Sequence, residues 1–345
     1  MKRILLVATI YRVGERIYSI IPKLSKQYDL DVLKIAQMSD TMKWYGDKDL
    51  RTVFDNKYKK YINNVYYKVP NLDKYDLILM DDDRPRNGLK EIYDKVNVPV
   101  ISHQHGSGDM KHVLSNLRVK GRVSWDYITV FGNTEKEKYI KEKGKEFGKR
   151  ILLGGIPSND ILNDYEKTDK HILVIVNFLG NTGGFGFKPF DEDTFKKIGL
   201  VELQKKFNKK IIIKIKSRKA LANPKGDFEY LHKILPKDLD YDIIMDTEDD
   251  NKLISDSFIV VSAPSVLALK PIQKGIPTVL LKGYGQTGQF VNYKGLIELN
   301  TQSVFDEIQR QYENGKEIDF VEDTIEGGID FNSTEKYIDC IRRTI

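Results

Sequence analysis

The chain has 345 residues, of which 40% are hydrophobic and 31% are charged. This balance excludes a disordered chain, and the length suffices for two domains of ordinary size. The longest apolar runs have the length of a strand, so we predict no membrane span. The single cysteine, Cys340, excludes an internal disulfide. A net charge of +6 does not by itself indicate a nucleic-acid-binding protein. We expect the protein to be cytoplasmic.

The first half of the chain alternates strand-like and helix-like segments, a pattern that predicts a parallel sheet covered by helices. Helices are predicted at 16–27, which contains Pro22, and at 136–146, whereas 40–66 is polar, aromatic and less regular. Strands are predicted at 2–10, 29–35, 76–80, 98–103, 127–132 and 149–155.

The second half repeats the alternation after a polar stretch, and we predict an α/β protein with two Rossmann-like domains that face a central cleft. Strands are predicted at 171–178, 210–216, 241–245, 257–263 and 276–281, and helices at 192–207, 248–256, 265–274 and 301–314. The predicted domains are 1–157 and 158–330, followed by a terminal helix at 331–345 that packs back on the first domain.

Two of the five histidines, His103 and His105, lie in the stretch ISHQHGSGD at the end of a predicted strand. Alternation along the strand places both imidazoles on one side, and two glycines then let the chain turn. A neutral imidazole accepts a proton from a hydroxyl nucleophile, which favours a catalytic loop. The alternatives are a turn whose histidines satisfy local hydrogen bonds, or a zinc site with His112, for which the sequence offers no further ligand cluster.

Three further segments place glycine or serine after a predicted strand, where backbone amides bind anions. They are LLGGIPSNDIL at 152–162, NFLGNTGGFGFKPF at 177–190, and a segment with Ser262 and Ser265 before a predicted helix. Each also has a plain structural interpretation: an ordinary strand–turn–helix, a mobile loop, or helix capping by the two serines.

The stretch YDLILMDDDRPRN ends a predicted strand in Asp81, Asp82 and Asp83. This resembles the D-x-D sequence of metal-dependent, single-domain nucleotide-sugar transferases, and carboxylates suit Mg²⁺ or Mn²⁺. Acidic residues are common at strand ends, however, and the two-half layout differs from that of the single-domain enzymes. We therefore predict no metal site and keep the metal-dependent transferase as an alternative.

Four segments, in this order, resemble those of GT-B-type glycosyltransferases, nearest the CDP-glycerol glycerophosphotransferase-like and UDP-N-acetylglucosamine 2-epimerase-like branches. VPVISHQHG is similar to a strand followed by a His-Gly catalytic loop, and GGIPSNDIL to the hinge segment G-x-P-x-x-D-x-L. KIIIKIKS occupies the position at which a strand of these families ends in Lys-x-His-Pro. The segment 250–281 resembles their donor-binding strand, the serine-containing start of the next helix and the Gly-x-Pro turn.

The chain departs from this pattern at three places, one of which is a single serine beside Pro264 where two adjacent serines are expected. Lys216 and Arg218 flank a serine where a His-Pro pair is expected, so a lysine or arginine takes over any role of that histidine. Leu269 and Lys270 stand near the usual acidic residue that holds a ribose, which leaves the donor nucleotide open.

The resemblance implies a metal-independent glycosyltransferase, or related transferase, that moves a sugar or sugar-like group from a nucleotide-activated donor to an acceptor hydroxyl. The first domain then binds the acceptor, with His105 as the base and His103 orienting the substrate, and the second binds the donor. No cofactor is expected, because the donor is a substrate, UDP-type or alternatively CDP-type. Polysaccharide, lipid, protein and modified nucleic-acid bases stay open as acceptors, as does the oligomeric state.

The same resemblance assigns candidate residues to the donor side and the hinge. Those expected to bind the donor and its phosphates are Lys216, Arg218, Lys214, Ser262, Ser265, Gly183, Gly184 and Gln286, and those at the hinge or cleft are Gly155 and Asp160. Two rival interpretations are a UDP-sugar 2-epimerase-like isomerase and a non-enzymatic nucleotide-sugar or polyanion binder. The binder is motivated by the stretch 203–226, which has nine basic residues and no acidic one.

Overall fold

The computed structural model describes residues 1–8, 11–34, 50–81, 92, 96–104, 125–180, 186–215, 224–245 and 249–345. It divides into two compact units, Met1–Asp160 together with Glu322–Ile345, and Ile161–Val321. Our sequence boundaries lie at 157 and 330; in the structure the first unit runs to Asp160 and takes up the chain again at Glu322. Each unit is an α/β structure with its own sheet.

The first unit is built on a parallel sheet whose described strands have the order β3-β2-β1-β4-β5-β6-β7. The strands are β1 Arg3–Ala8, β2 Asp29–Lys34, β3 Asn64–Tyr66, β4 Leu77–Met80, β5 Val100–His103, β6 Tyr127–Val130 and β7 Ile151–Leu153. Side chains alternate between the two faces, so Ile4 and Leu6 enter one core cluster and Leu5 and Val7 the other.

The second unit has a parallel sheet with the order β10-β9-β8-β11-β12-β13 among the described strands. They are β8 His171–Val176, β9 Lys210–Ile215, β10 Tyr241–Ile244, β11 Ser257–Ser262, β12 Thr278–Leu281 and β13 Leu296–Ile297. Ile172 and Val174 face the larger core cluster, and Leu173 and Ile175 the smaller one on the opposite face. Both sheets reverse their strand order beside the first strand, at β1/β4 and β8/β11, the place where ligands bind in open α/β folds.

The described α-helices cover both sheets. They are α1 Tyr11–Tyr18, α2 Ile21–Leu24, α3 Leu50–Tyr58, α4 Asn133–Lys143, α5 Lys145–Gly148, α6 Glu192–Ile198, α7 Leu200–Phe207, α8 Pro224–Ile234, α9 Asp250–Ser255, α10 Leu269–Lys274, α11 Thr301–Asn314, α12 Ile318–Thr324 and α13 Ser333–Thr344. Short 3-10 helices lie at Lys59–Tyr61, Leu72–Lys74, Pro157–Asp164, Val266–Ala268 and Gly288–Phe290. None of the helices in the described ranges is long and apolar enough to cross a membrane.

Three of the predicted elements are wrong in detail. The predicted helix at 16–27 is two helices, because Pro22 lies at the start of α2 and lacks the N–H that would continue α1. The predicted helix at 192–207 is also divided, at Gly199. The edge strand β3 falls in the stretch 40–66, where we predicted no strand.

Candidate functional site

His103 is the last residue of β5, at the carboxyl edge of the first sheet, and its side chain is fully buried. Its Nδ1 lies 3.1 Å from the Thr129 Oγ1 of the neighbouring strand β6. The imidazole also packs against the rings of Phe131 and Tyr337, with centroids 5.8 and 5.6 Å away. His103 therefore contacts protein groups, and its proposed role toward substrate stays a prediction.

Gln104 fixes the point where the chain leaves β5. Its backbone N–H donates to the Thr129 carbonyl at 3.0 Å, and its side-chain Oε1 accepts from the Phe131 N–H at 3.2 Å. His105, the predicted base, follows immediately and lies outside the described residues. Of the predicted catalytic loop, the structure therefore describes the beginning, up to Gln104.

Asp81 follows β4 at the same edge, and its carboxylate is fully buried. It accepts a hydrogen bond from the Tyr18 hydroxyl of α1. Asp82 and Asp83 lie outside the described residues, and within the described ranges no cluster of three His, Cys, Asp or Glu side chains is arranged to hold a metal ion. The alternative of a metal site at Asp81–Asp83 stays untested.

Gly155 and Asp160, the predicted hinge residues, anchor the terminal helix α13 to the rest of the first unit. A Cβ added at Gly155 would lie 2.3 Å from the Glu326 carbonyl oxygen, so this close approach requires glycine. The Asp160 carboxylate accepts from the backbone N–H groups of Ser333 and Thr334 at 3.0 and 2.6 Å, which caps the start of α13. Burial raises the pKa of Asp160 above its usual value, although these hydrogen bonds oppose the shift.

Two serines follow the carboxyl end of β11 in the second unit. The buried Ser262 hydroxyl donates to the Ala263 carbonyl at 2.7 Å. Ser265 precedes the short helix Val266–Ala268 without capping it, and its Oγ is buried with no hydrogen-bond partner in the described structure. Helix capping, the plain interpretation of this segment, is therefore wrong for both serines.

The segments that follow β8, β11 and β12 meet at Gly285. A Cβ added there would lie 2.2 Å from the Pro264 carbonyl oxygen and 3.2 Å from the Asn177 Nδ2. The neighbouring Gln286 is exposed. Residues more than 100 positions apart along the chain thus share one edge of the sheet, which makes this edge the candidate site of the second unit.

Gln289 lies four residues beyond Gly285, and its side chain is fully buried. Neither its Nε2 nor its Oε1 has a hydrogen-bond partner among the described residues. A buried amide without partners costs several kcal/mol, on the order of 1–3 for each unpaired group, so such groups are rare in folded proteins. The sequence offers no signal for Gln289 beyond its place in a glycine-rich loop.

Two described lysines bear on the charge of this edge. Lys214 on β9 is buried, and its Nζ lies 2.8 Å from the Asp250 carboxylate, which already compensates its charge. Lys188 is exposed, and its backbone N–H donates to the Gly283 carbonyl at 2.9 Å, which places it beside the loop after β12. The sequence gives no signal for Lys188, because glycines dominate its segment. Four other donor-side candidates lie outside the described residues: Lys216, Arg218, Gly183 and Gly184.

Comparison with family models and with curated proteins finds no match for this chain. Solved structures do match. A UDP-GlcNAc 2-epimerase from Neisseria meningitidis, solved with UDP-GlcNAc bound, has a TM-score of 0.63 at 14% identity, over 99% of this chain and 100% of its own. The chain has the GT-B fold. This confirms the two Rossmann-like domains and the GT-B-type resemblance that the sequence predicts.

Two further solved structures match this chain, and they are proteins of other kinds. The Anabaena protein Alr3699/HepE, solved with UDP and glucose, matches with a TM-score of 0.58 at 12% identity, over 99% of each chain. The wall teichoic acid polymerase TagF matches with a TM-score of 0.56 at 14% identity, over 99% of this chain and 88% of its own. At such identities the likeness is one of fold, and the activity has to be argued from the site.

Proposed function

We propose that the chain is a metal-independent transferase that moves a sugar or sugar-like group from a nucleotide-activated donor, UDP-type first, to an acceptor hydroxyl. Two structures with the same fold were solved with UDP-GlcNAc bound or in complex with UDP and glucose. This supports a nucleotide-sugar as the donor class.

The observation that carries the proposal concerns the segments that follow β11 and β12, where Ser265 and Gln289 have buried polar atoms without hydrogen-bond partners among the described residues. An amide offers a donor and an acceptor together, and a hydroxyl offers both as well, so a ligand rich in hydroxyl, phosphate and amide groups satisfies them. Nucleotide-sugars have this chemistry. The free energy lost by burying the two side chains unpaired is then recovered when the donor binds.

The charge of the leaving group is the second requirement of this reaction. In the transfer, the acceptor oxygen forms a bond to the sugar carbon, the bond from that carbon to the diphosphate breaks, and the nucleoside diphosphate leaves with the electron pair. The exposed Lys188 ammonium, with Lys216 and Arg218 as further candidates, offsets the charge of the departing diphosphate. The acceptor proton passes to the proposed base, His105.

Calorimetric titration with UDP, CDP, GDP and ADP tests the donor class. We expect one pyrimidine nucleoside diphosphate to bind, and replacement of Lys188 by Met to weaken diphosphate binding more than nucleoside binding, because the ammonium acts on the diphosphate charge. The exposed Lys237, after α8 and away from the glycine loops in sequence, supplies a matched Lys→Met control. No heat with any of the four nucleotides contradicts the proposal.

An epimerase of the UDP-GlcNAc 2-epimerase type is the second candidate, because the match to the Neisseria epimerase has a TM-score of 0.63, against 0.58 and 0.56 for HepE and TagF. Such an enzyme needs a nucleotide-sugar and no acceptor. Incubation with UDP-GlcNAc in deuterated water distinguishes the two activities. Deuterium at the sugar C2 without an acceptor favours the epimerase, whereas donor consumption that requires an added acceptor favours the transferase.

A further inference from the structure

Asn177 is the residue directly after β8, and its side chain reaches the segment that follows β12. The strand register explains this position, because Ser262 on β11 pairs with Ile175 on β8 and with Leu280 on β12. The Ala263 N–H then donates to the Ile175 carbonyl at 3.1 Å, so β8 and β11 stay adjacent up to their carboxyl ends. Asn177 therefore lies beside the point where the strand order of the second sheet reverses.

Two hydrogen-bond donors lie at the two ends of the segment Gly283–Gly285, which we call the glycine turn. A Cβ added at Gly285 would lie 3.2 Å from the Asn177 Nδ2, and one added at Gly283 would lie 3.6 Å from the Cδ and Cε of Lys188. The Lys188 Nζ lies 6.0 Å from the centroid of the Tyr284 ring, in the middle of the turn. An amide nitrogen and an ammonium, both of which only donate, thus flank the same three residues.

The glycine turn is held in place by contacts of Tyr284 and Lys188. The Tyr284 ring is buried and packs edge-on against Phe190, with centroids 5.0 Å apart. Its hydroxyl lies 3.1 Å from the Oγ1 of Thr194 on α6. The Lys188 N–H donates to the Gly283 carbonyl at 2.9 Å. These contacts fix the backbone that lies between the two donor groups.

We propose that Asn177 binds the diphosphate of the nucleotide donor, together with Lys188, at the glycine turn. This inference rests on the proposed function. The oxygens of an ionised diphosphate only accept hydrogen bonds, so they are complementary to the Asn177 Nδ2 and the Lys188 Nζ. Asn177 is half-buried, so a ligand at this edge of the sheet can reach its amide. The asparagine adds hydrogen bonds without a further charge, and the compensating charge comes from Lys188.

Calorimetric titration of two Asn177 variants tests this role, with the nucleoside diphosphate that the wild type binds, UDP first, and with its nucleoside. Asn177→Ala removes the donor group, so we expect the diphosphate to bind on the order of tenfold more weakly and the nucleoside to bind nearly as before. Asn177→Asp has the same size, but its carboxylate repels the diphosphate, so it should weaken binding more than Asn177→Ala does. Asn56→Asp, at an exposed asparagine of α3 in the first unit, is the matched control and should bind as the wild type does.

Diphosphate affinity that falls from the wild type to Asn177→Ala and further to Asn177→Asp supports the role, provided that thermal unfolding shows both variants to be folded. Wild-type affinity in both variants overturns it. An equal loss for the diphosphate and the nucleoside also overturns it, because Asn177 would then support the turn and not the ligand. If the wild type binds no nucleotide, the proposed function fails and this role with it, whereas a chain that binds the diphosphate whatever residue stands at 177 contradicts this inference alone.

Discussion

Two buried glutamines of the second unit differ in their hydrogen bonding: the amide of one, at the amino end of the sheet, is paired, whereas that of the other, in the segment that follows β12, has no partner among the described residues. Gln311 on α11 shows the first case. Its Oε1 accepts from the Thr278 N–H at 2.7 Å, and its Nε2 donates to the Thr278 carbonyl and the Glu307 carboxylate at 2.8 and 2.6 Å. Gln289 shows the second case, with a fully buried amide that has no partner among the described residues.

Under the proposed function, the burial of Gln311 is structural, whereas the burial of Gln289 serves the binding of a ligand. A fully hydrogen-bonded amide such as that of Gln311 stabilises the start of β12, because it accepts from a strand N–H that would otherwise be unpaired. An amide without partners, such as that of Gln289, destabilises the free protein, and the proposed nucleotide-sugar would supply the missing hydrogen bonds. Substitution of the two glutamines by the same apolar residue should therefore have opposite effects on stability.

The largest expected effect is that of Gln311→Met. Methionine has a similar length but leaves the Thr278 N–H unpaired, so we expect a loss of about 3 kcal/mol in the free energy of unfolding. Urea denaturation measures this loss. Nucleotide binding measured by calorimetry should be retained, since Gln311 lies at the end of the sheet opposite to the glycine loops. A stability equal to that of the wild type contradicts the comparison.

A smaller destabilisation is expected from Gly285→Ala. The added methyl group would meet the Pro264 carbonyl oxygen at 2.2 Å, so the segments after β11 and β12 must separate. We expect a cost of about 2 kcal/mol by urea denaturation. Calorimetry should also show weaker nucleotide binding, because Ser265 follows the displaced carbonyl directly. Unchanged affinity would show that this edge does not bind the donor.

Gln289→Met should change stability in the opposite direction. It replaces an unpaired buried amide by an apolar side chain of similar length, so we expect a gain of about 1–2 kcal/mol in the unliganded protein. The rise in melting temperature that a bound nucleotide-sugar produces should disappear. A destabilised variant that still responds to the ligand would mean that Gln289 is structural.

The smallest expected effect is on the pH dependence of stability, and it comes from Asp256, a paired carboxylate at the amino end of the second sheet. Although desolvation by burial opposes the shift, hydrogen bonds from Thr168, Lys252 and Lys170 lower the pKa of Asp256 from 3.8 to about 2. A lowered pKa in the folded state stabilises the protein above pH 3.8, and this contribution disappears as the pH falls toward about 2.

Comparison of the wild type with Asp256→Asn measures this contribution. We expect the variant to be less stable by about 1 kcal/mol at pH 6 and the difference to shrink as the pH falls below 4. Thermal unfolding at a series of pH values follows it. A difference that is independent of pH would show that the carboxylate charge does not contribute.

The sequence predicted the strands well and the boundaries of the helices less well. Apolar runs such as that of β8 are buried on both faces and identify a parallel strand by composition alone. Strand β3 has only three residues, none of them fully buried, at the edge of the sheet, so it lacks that signal. The divided helix at Pro22 shows the same limit, because the apolar stripe continues across the break.

The candidate site could be predicted only in part. Ser265 and the histidine pair stood out because scarce or polar residues follow a predicted strand. Gln289 and Lys188 gave no such signal, because their importance depends on which loops lie together and on which polar atoms lack partners. The burial of His103 was equally unpredictable, since it results from the packing of Phe131 and Tyr337 around the ring.

By itself, the sequence determined the alternation of strands and helices, the two parallel sheets and the positions of the residues that follow their strands, because these depend on local hydrophobic periodicity. The tertiary structure decided which of those residues meet. It brought Gly285 against Pro264, left polar atoms of Ser265 and Gln289 without partners among the described residues, and buried the imidazole of His103. These outcomes depend on contacts between distant segments, in which each polar atom competes for partners that no local pattern specifies.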